Sequence, residues 1–222
     1  MKIVNLILII ILVISIPVSI ICLANNLTTR MPDLYQYELK STEALNNLSV
    51  EKNEDEMGQF FSDYMLGETQ KFQIEYQFGD NTDNLFTSDE QKTMEKFKSS
   101  SNLILFAGLI AMFFSLVSYF LIYKQNLKSV LRRAFLKAVI LFAAFISSIT
   151  LATILSPLIK IYYALLFDYE IKTFLVLPKL LPESFFIHSA LTTVAISIII
   201  MLILWYFTWK ITKPRRIFGA SR

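Results

Sequence analysis

Residues 102–123 read NLILFAGLIAMFFSLVSYFLIY, an apolar run without a charged side chain. An α-helix rises about 1.5 Å per residue, so about 20 residues cross the roughly 30 Å hydrocarbon core of a bilayer. Three other long apolar runs cover residues 3–23, 134–158 and 186–209, the second of them with one charged residue, Lys137, near its start. A charge at the centre of a spanning helix costs about 2.5–3.5 kcal/mol, and no charge lies at the centre of these runs. The sequence therefore predicts an all-α polytopic membrane protein with four transmembrane helices.

Composition supports the same class. Hydrophobic residues make up 55% of the 222 residues and the mean hydropathy is +0.52, which is typical of a membrane protein rather than a soluble domain. The predicted organisation in chain order is transmembrane helix 1 (1–24), an extracytoplasmic cap (25–101), transmembrane helix 2 (102–123), a cytoplasmic basic loop (124–133), transmembrane helix 3 (134–158), an outer interfacial or re-entrant loop (159–185), transmembrane helix 4 (186–209) and a cytoplasmic basic tail (210–222).

The distribution of charge predicts the orientation of the helices. Residues 30–98 contain 15 acidic and 7 basic side chains, so the rest of the chain is strongly basic. Its cations cluster in the short loop after the second run together with the start of the third run, and in the C-terminal tail: Lys124, Lys128, Arg132, Arg133 and Lys137, then Lys210, Lys213, Arg215, Arg216 and Arg222. The positive-inside rule assigns both clusters, and hence both termini, to the cytoplasm. The acidic segment then lies on the extracytoplasmic side of the membrane.

The first run has two interpretations. A charged start at Lys2, a long apolar stretch and Cys22-Leu23-Ala24 are compatible with a cleaved signal peptide. Its apolar stretch is longer than the usual 7–15 residues of a signal sequence, however, which favours an uncleaved first helix. Cys22 lies inside this helix, where a packed, unreactive thiol is the default.

The segment between the first and second runs is predicted to fold into a small α+β cap. Alternation at Tyr35, Tyr37 and Leu39 suggests a short strand, and residues 72–78 alternate more regularly. Residues 51–67 have helical spacing with Gly67 as a stop. A second helix is predicted to begin near residue 87 or 88, with Ser88 and Gln91 forming a capping box.

Several function classes lack support in the sequence. No span holds a pair of charges, which argues against a pump or coupled transporter. No metal-ligand cluster, glycine-rich phosphate loop or nucleic-acid motif is present, so no cofactor and no nucleic-acid partner is expected. Hydroxyl residues in the third run are interpreted as helix packing. Residues 159–185 are apolar but broken by proline, and either wall a lipid-accessible pocket or plug the space under the cap.

Three short motifs resemble one family. Residues 86–98 begin Phe-Thr-Ser-Asp-Glu-Gln-Lys-Thr-Met and end at Lys98 before a span. They look like that family's Phe-Ser, acidic/basic, His-Met, Asp-Val-Lys block. Residues 181–186, Leu-Pro-Glu-Ser-Phe-Phe, look like its Pro-Glu-x-Phe-Phe element, and residues 63–67, Asp-Tyr-Met-Leu-Gly, are similar to its Asp-Tyr-Leu-x-Gly helix end. The family is the lipoprotein intramolecular transacylase (Lit) family of low-GC Gram-positive bacteria. The order of the spans and the cap match over nearly the whole chain.

The resemblance implies an activity at the outer leaflet. Lit-like enzymes move an acyl chain from the glyceryl sn-2 position of a diacylated lipoprotein to the amine of its N-terminal cysteine. Acyl transfer to an amine needs a base for the amine proton, an acid for the leaving alkoxide and donors for the oxyanion. The implied partners are membrane lipid and diacylated lipoprotein.

The residues that would carry this chemistry differ from the family pattern. Thr93 and Tyr163 stand at the positions of the two family histidines, and the chain's only histidine is His188. Glu90, Glu183 and His188 are predicted near the outer interface and are the candidate substitutes, because a carboxylate that orients a histidine makes a usable base. Each also has an ordinary structural explanation: helix-start electrostatics, a turn and an interfacial side chain.

Two functional hypotheses follow. The first is a Lit-like acyltransferase with an altered site. The second is a non-catalytic relative that binds lipid, lipoprotein or a membrane partner, and it rests on the absence of the family histidines.

Overall fold

Four long helices dominate the computed structural model, which describes residues 2–46, 52–78, 81–155, 158–161 and 176–213. They are α1 (Lys2–Thr28), α4 (Ser88–Lys124), α5 (Lys128–Ile154) and α7 (Glu183–Thr212). All four are long and apolar enough to cross a membrane, so the predicted multi-pass membrane protein is confirmed. The short helices among the described residues include α2 (Pro32–Ser41), α3 (Glu54–Leu66) and α6 (Leu177–Leu180).

The bundle is built around α1, which packs against α4, α5 and α7. A glycine allows α4 to approach α1 closely. A side chain on Gly108 of α4 would meet the Cβ atom of Cys22 at 2.8 Å, so the two backbones can meet only because glycine has no Cβ atom. The apolar cluster of the bundle takes side chains from all four helices, including Leu12, Ile122, Phe135 and Met201, and buried serine and threonine side chains lie on the same helices.

A very short turn joins α4 to α5. Only residues 125–127 separate the two helices, and Asn126 has a φ of 56°. Asparagine is one of the few residues that tolerate this left-handed conformation. The turn therefore holds α4 and α5 as antiparallel neighbours.

The first short segment after α1 is a helix, and the predicted strand at Tyr35, Tyr37 and Leu39 is wrong. Pro32 occupies the first turn of α2, where its missing N–H group costs nothing. The residues of α2 that are buried are Leu34, Tyr35, Glu38 and Leu39, which is the spacing of one helix face. Three alternating apolar residues are too few to distinguish a period of 2 from a period of 3.6.

The predicted helix over residues 51–67 is present as α3. Asn53 caps its start, because its side chain accepts a hydrogen bond from the Glu56 N–H group at 2.9 Å. Gly67 ends it with a φ of 90°, as predicted for a glycine stop.

The α+β cap is not supported, because this segment is predominantly helical. The strands among the described residues are β1 (Glu75–Phe78) and β2 (Asn81–Asn84), which pair antiparallel as one short hairpin. Residues 72–74 of the predicted strand lie outside it, and Phe72 and Ile74 instead pack into the core of the segment.

The capping box of α4 is one residue earlier than predicted. Thr87, not Ser88, is the N-cap, and its side chain accepts from the Glu90 N–H group while the Glu90 carboxylate accepts from the Thr87 N–H group. Glu90, not Gln91, is therefore the third residue of the box. The sequence fits the capping-box pattern at two overlapping positions, because Thr87 is followed by Glu90 and Ser88 by Gln91 at the same spacing.

Stacked aromatic rings join the short helices to the end of the bundle at which α7 begins. Tyr35 of α2 lies between Phe61 of α3, at 5.2 Å, and Phe185 of α7, at 5.0 Å between ring centroids. Its hydroxyl donates to the Thr29 carbonyl at 2.6 Å, and burial raises the pKa of Tyr35 above the ordinary range of a phenol. The neutral hydroxyl therefore remains a donor, and α2 is fixed against the start of α7.

Candidate functional site

A buried carboxylate lies on the inner face of α2. Glu38 shares that face with Leu34, Tyr35 and Leu39, and its side chain is 0% exposed. An ionised carboxylate removed from water is costly unless it is paired or hydrogen-bonded. Glu38 therefore has to find its partners on the elements packed against α2.

Those partners come from the first two turns of α7. The Nδ1 atom of His188 lies 2.7 Å from Oε2 of Glu38, and the Ser184 hydroxyl donates to Oε1. Ser184 and His188 are four residues apart, so they lie on the same face of the helix. With a proton on Nδ1, the ring donates to the carboxylate and Nε2 becomes the basic nitrogen. This is the carboxylate–histidine arrangement that orients a general base.

His188 also borders a cavity. The space next to it has a volume of about 360 Å³ and is lined by residues of the 31–37 segment and of α7, including Met31, Tyr37, Leu191 and Thr192. The His188 side chain is 37% exposed, whereas its partner Glu38 is fully buried. The edge of the His188 ring packs against Tyr37, with 5.4 Å between centroids. The Glu38 carboxylate therefore fixes the orientation of the His188 ring, and the rest of the ring is accessible from the cavity.

A second, smaller cavity lies at the same end of the bundle. It has a volume of about 190 Å³, and its lining combines apolar side chains with uncharged polar ones from α1, α4 and α7: Asn25, Thr29, Ser100, Ser101 and Ser189. Hydrogen bonds connect two of these lining residues to α1. The Thr29 and Ser101 hydroxyls lie 3.1 Å apart, and the Asn26 amide donates to the Ser101 carbonyl at 3.2 Å. No lining residue of this cavity among those described carries a charge.

The predicted position Thr93 lies near this second cavity along α4. It precedes the lining residue Phe97 by one helical turn. Its hydroxyl donates to the Asp89 carbonyl of its own helix at 2.9 Å. The other position taken from the family histidines, Tyr163, lies outside the described residues.

Hydrogen bonds to two other segments of the chain occupy the Glu90 carboxylate. Its Oε1 atom accepts from the Leu177 N–H group at 2.6 Å, and Oε2 accepts from the N–H and hydroxyl groups of Thr87 at 2.8 and 2.9 Å. It is almost completely buried. Both carboxylate oxygens are thus used to hold α6 against the start of α4, and this favours an anchoring role for Glu90.

The structure does not bring the three predicted substitutes together. No contact joins Glu90, Glu183 and His188 within the described part of the chain; Glu183 lies in the first turn of α7, where an acidic residue suits the helix dipole. The partner of His188 is instead Glu38, which sequence reasoning missed. The signal was a glutamate on the apolar face of an amphipathic helix, and the strand interpretation of Tyr35–Leu39 concealed it.

The whole architecture matches known membrane structures. A structure of the membrane integral lipoprotein intramolecular transacylase Lit from Bacillus cereus aligns with a TM-score of 0.70 over 95% of this chain and 98% of that chain, at 17% identity. The chain has the Lit fold. Two structures of Lit variants, with one histidine replaced by alanine or by arginine, align with TM-scores of 0.69 and 0.65 at 16% and 15% identity, covering 96% and 93% of this chain and 96% and 92% of those chains.

The resemblance to Lit inferred from short motifs is therefore confirmed at the level of the fold. No protein-family model and no curated protein matches the chain. At this identity the shared fold with Lit positions the helices, and the chemistry has to be argued from the side chains of this chain.

Proposed function

We propose that this protein moves an acyl chain within diacylglyceryl lipoproteins, with His188 as the proton-transfer group and Glu38 as the carboxylate that orients it. The observation that carries the proposal is the 2.7 Å contact between His188 Nδ1 and a fully buried Glu38, beside an open cavity. The Lit fold supports the choice of reaction, because Lit is a lipoprotein intramolecular transacylase.

The reaction would use both protonation states of the histidine. His188 Nε2 takes a proton from the N-terminal amine of the lipoprotein cysteine as the amine attacks the ester carbonyl. The tetrahedral intermediate collapses, the bond from the carbonyl carbon to the glyceryl oxygen breaks, and the imidazolium returns the proton to that oxygen. The products are an amide and a free glyceryl hydroxyl. Glu38 stabilises the imidazolium between the two steps, and Tyr37, which lines the same cavity, is the candidate donor for the oxyanion.

The proposed substrate side follows from the distribution of basic residues. We place both termini and the turn between α4 and α5 in the cytoplasm of a bacterial cell, because their cations follow the positive-inside rule. The end of the bundle with α2, α3 and His188 then faces the outer leaflet, where the diacylglyceryl group of a lipoprotein is embedded.

The test is mass spectrometry of lipoprotein N-termini from a lipoprotein-modifying host that lacks its own transacylase. Expression of this protein should shift one acyl chain from the glycerol to the cysteine amine. His188→Ala should abolish the shift, and Glu68→Gln, which changes an exposed carboxylate, should leave it intact. No shift in the presence of membrane-inserted protein would contradict the proposal, as would full activity of His188→Ala.

A second candidate is binding without chemistry. It is favoured by the uncharged lining of the smaller cavity and by the Thr93 hydroxyl, which is bonded to its own helix at the position of a family histidine. Hydroxyl and amide groups can hold an ester or amide without transferring a proton. Retention of a diacyl lipopeptide on the purified protein, with no change in its mass over long incubation, would favour this second candidate.

A further inference from the structure

Two cationic side chains lie where α1 and α4 leave the apolar part of the bundle. The Nη2 atom of Arg30 donates to the Asn102 side chain at 2.6 Å, and Asn102 begins the apolar run of α4. Lys98 precedes Asn102 by one helical turn, so both face the same side of α4. Its Nζ atom lies 4.3 Å from the centre of the Tyr64 ring.

These two cations lack an acidic partner among the described residues. Elsewhere in this acid-rich segment, Lys40 pairs with Asp55 at 2.7 Å and Lys92 with Asp89 at 3.4 Å. Neither Arg30 nor Lys98 has a described carboxylate within 4.0 Å.

The guanidinium of Arg30 is also incompletely satisfied. Its Nε atom is buried without a hydrogen-bond partner in the described part of the chain, although both neighbouring elements hold the residue in place. The Ser62 hydroxyl donates to the Arg30 carbonyl at 2.6 Å, and Asn102 takes one N–H group of the guanidinium. Arg30 and Lys98 are both half-buried, and an anion that contacts the two cations lowers the electrostatic energy of each.

The depth of the pair indicates the source of that anion. It lies at the boundary between an apolar run and the polar segment, which is the level of lipid headgroups. Arginine and lysine are the usual phosphate ligands in proteins, and each cation near an anionic membrane surface contributes about 1 kcal/mol of binding.

We propose that Arg30 and Lys98 bind the phosphate group of a membrane lipid, with Asn102 holding the guanidinium and Tyr64 holding the ammonium group. The cavities beside α7 are not involved, so this site does not depend on the proposed acyl transfer.

Native mass spectrometry of the full chain in detergent tests the site, with phosphatidylglycerol and diacylglycerol as matched probes with and without a phosphate. Phosphatidylglycerol adducts should survive and diacylglycerol adducts should not. Lys98→Gln should lower apparent affinity for phosphatidylglycerol about fivefold, the value of one cation near a membrane surface. Lys96→Gln removes an exposed cation from the same helix and should leave the affinity unchanged.

A second variant keeps the test valid if removing a charge perturbs the protein. Asn102→Ala retains both cations, frees the guanidinium and should also weaken the phosphatidylglycerol adduct. Equal losses in Lys98→Gln and Lys96→Gln would overturn the proposal, because they would indicate a diffuse field. Equal binding of diacylglycerol would overturn it too. Displacement of the lipid by millimolar inorganic phosphate would assign the site to a soluble anion and overturn the lipid assignment.

Discussion

The two cavities that border the first turns of α7 differ in the chemical groups of their lining residues. One is lined by His188, which is held by a fully buried Glu38. The other is lined by hydroxyl, amide and apolar groups, with no charged residue among those described. The two linings share no residue.

The His188 cavity has a group for proton transfer, whereas the second cavity has groups for substrate recognition. Among the lining residues of the two cavities, His188 is the candidate general base, because a buried carboxylate orients its imidazole ring. The second cavity can position a polar group by hydrogen bonds, and it lies near Thr93, which the motif resemblance predicts to be at the position of a family histidine. Acyl-transfer chemistry in this chain would therefore take place on the opposite side of α7 from the place that the family pattern indicates.

The largest effect is expected from the carboxylate behind the histidine. Glu38→Gln keeps the size of the side chain but removes the charge that orients and stabilises the imidazolium, so the rate of acyl transfer should fall by about 100-fold. Quantitative mass spectrometry of a diacyl lipopeptide over time measures it, with Glu68→Gln as the control. An unchanged rate in Glu38→Gln would assign the chemistry to another part of the molecule.

Gly58→Val should disrupt the His188 side through packing. A Cβ atom on Gly58 would lie 3.0 Å from the Gln36 nitrogen and 3.2 Å from the Pro32 carbonyl oxygen, because α2 and α3 touch there. We expect a loss of about 1–3 kcal/mol in stability and withdrawal of Glu38 from His188.

Thermal unfolding in detergent, together with the transfer assay, checks this expectation. Gln59→Ala, at an exposed position of the same helix, is the control. A Gly58→Val protein with unaltered melting temperature would show that α2 and α3 can separate without cost.

Ser101→Ala addresses the uncharged side. The Ser101 hydroxyl is within hydrogen-bond distance of the Thr29 hydroxyl at 3.1 Å and of the Asn26 amide at 3.3 Å, and all three residues are buried. Its removal should cost about 1–2 kcal/mol, because buried polar groups lose a partner. The melting temperature in detergent reports the loss, with the exposed Ser99→Ala as the matched control; equal melting temperatures would mean that water replaces the hydroxyl.

The smallest effect concerns Tyr35, which joins α2 to both α3 and α7. Tyr35→Phe removes its hydrogen bond to the Thr29 carbonyl and should cost about 1 kcal/mol. Because burial raises the pKa of Tyr35 in the folded state, the unfolded chain releases this proton first, and the stability that the group contributes is lost as pH rises above about 10.

Unfolding measured between neutral pH and pH 11 separates these two contributions. The wild-type protein should lose more stability than Tyr35→Phe over this interval. Parallel curves for the two proteins would mean that the hydroxyl ionises as readily in the folded state as in the unfolded one.

Two kinds of feature could be predicted from the sequence: long apolar runs and a residue with a special backbone conformation. The four membrane-spanning helices follow from four apolar runs of sufficient length, and the end of α3 at Gly67 follows from the ability of glycine to adopt a positive φ. The strand at Tyr35–Leu39 was wrong because a five-residue window fits two periods. That error had a functional consequence, since a strand turns Glu38 away from Tyr35 and Leu39, whereas the helix places it on their face.

The candidate site shows a different limit of sequence reasoning. His188 was found because it is the chain's only histidine, but its partner lies 150 residues earlier. No local pattern reports such a contact; it is created by the packing of α2 on α7. Glu90 was selected for its position near a span, and its role in holding α6 depends on a backbone contact that the sequence does not display.

The three-residue turn between α4 and α5 has a consequence for how the protein enters the membrane. The connection is too short for either helix to settle while the other remains in water, so we expect the two to partition into the bilayer as one helical hairpin during synthesis. Lys124 and Lys128 flank the turn and, in the proposed orientation, would keep it on the cytoplasmic side of the membrane. Lengthening the turn with a glycine-serine linker should slow the appearance of protease-protected α4–α5 in a translation–insertion assay; an unchanged rate would show that the helices insert independently.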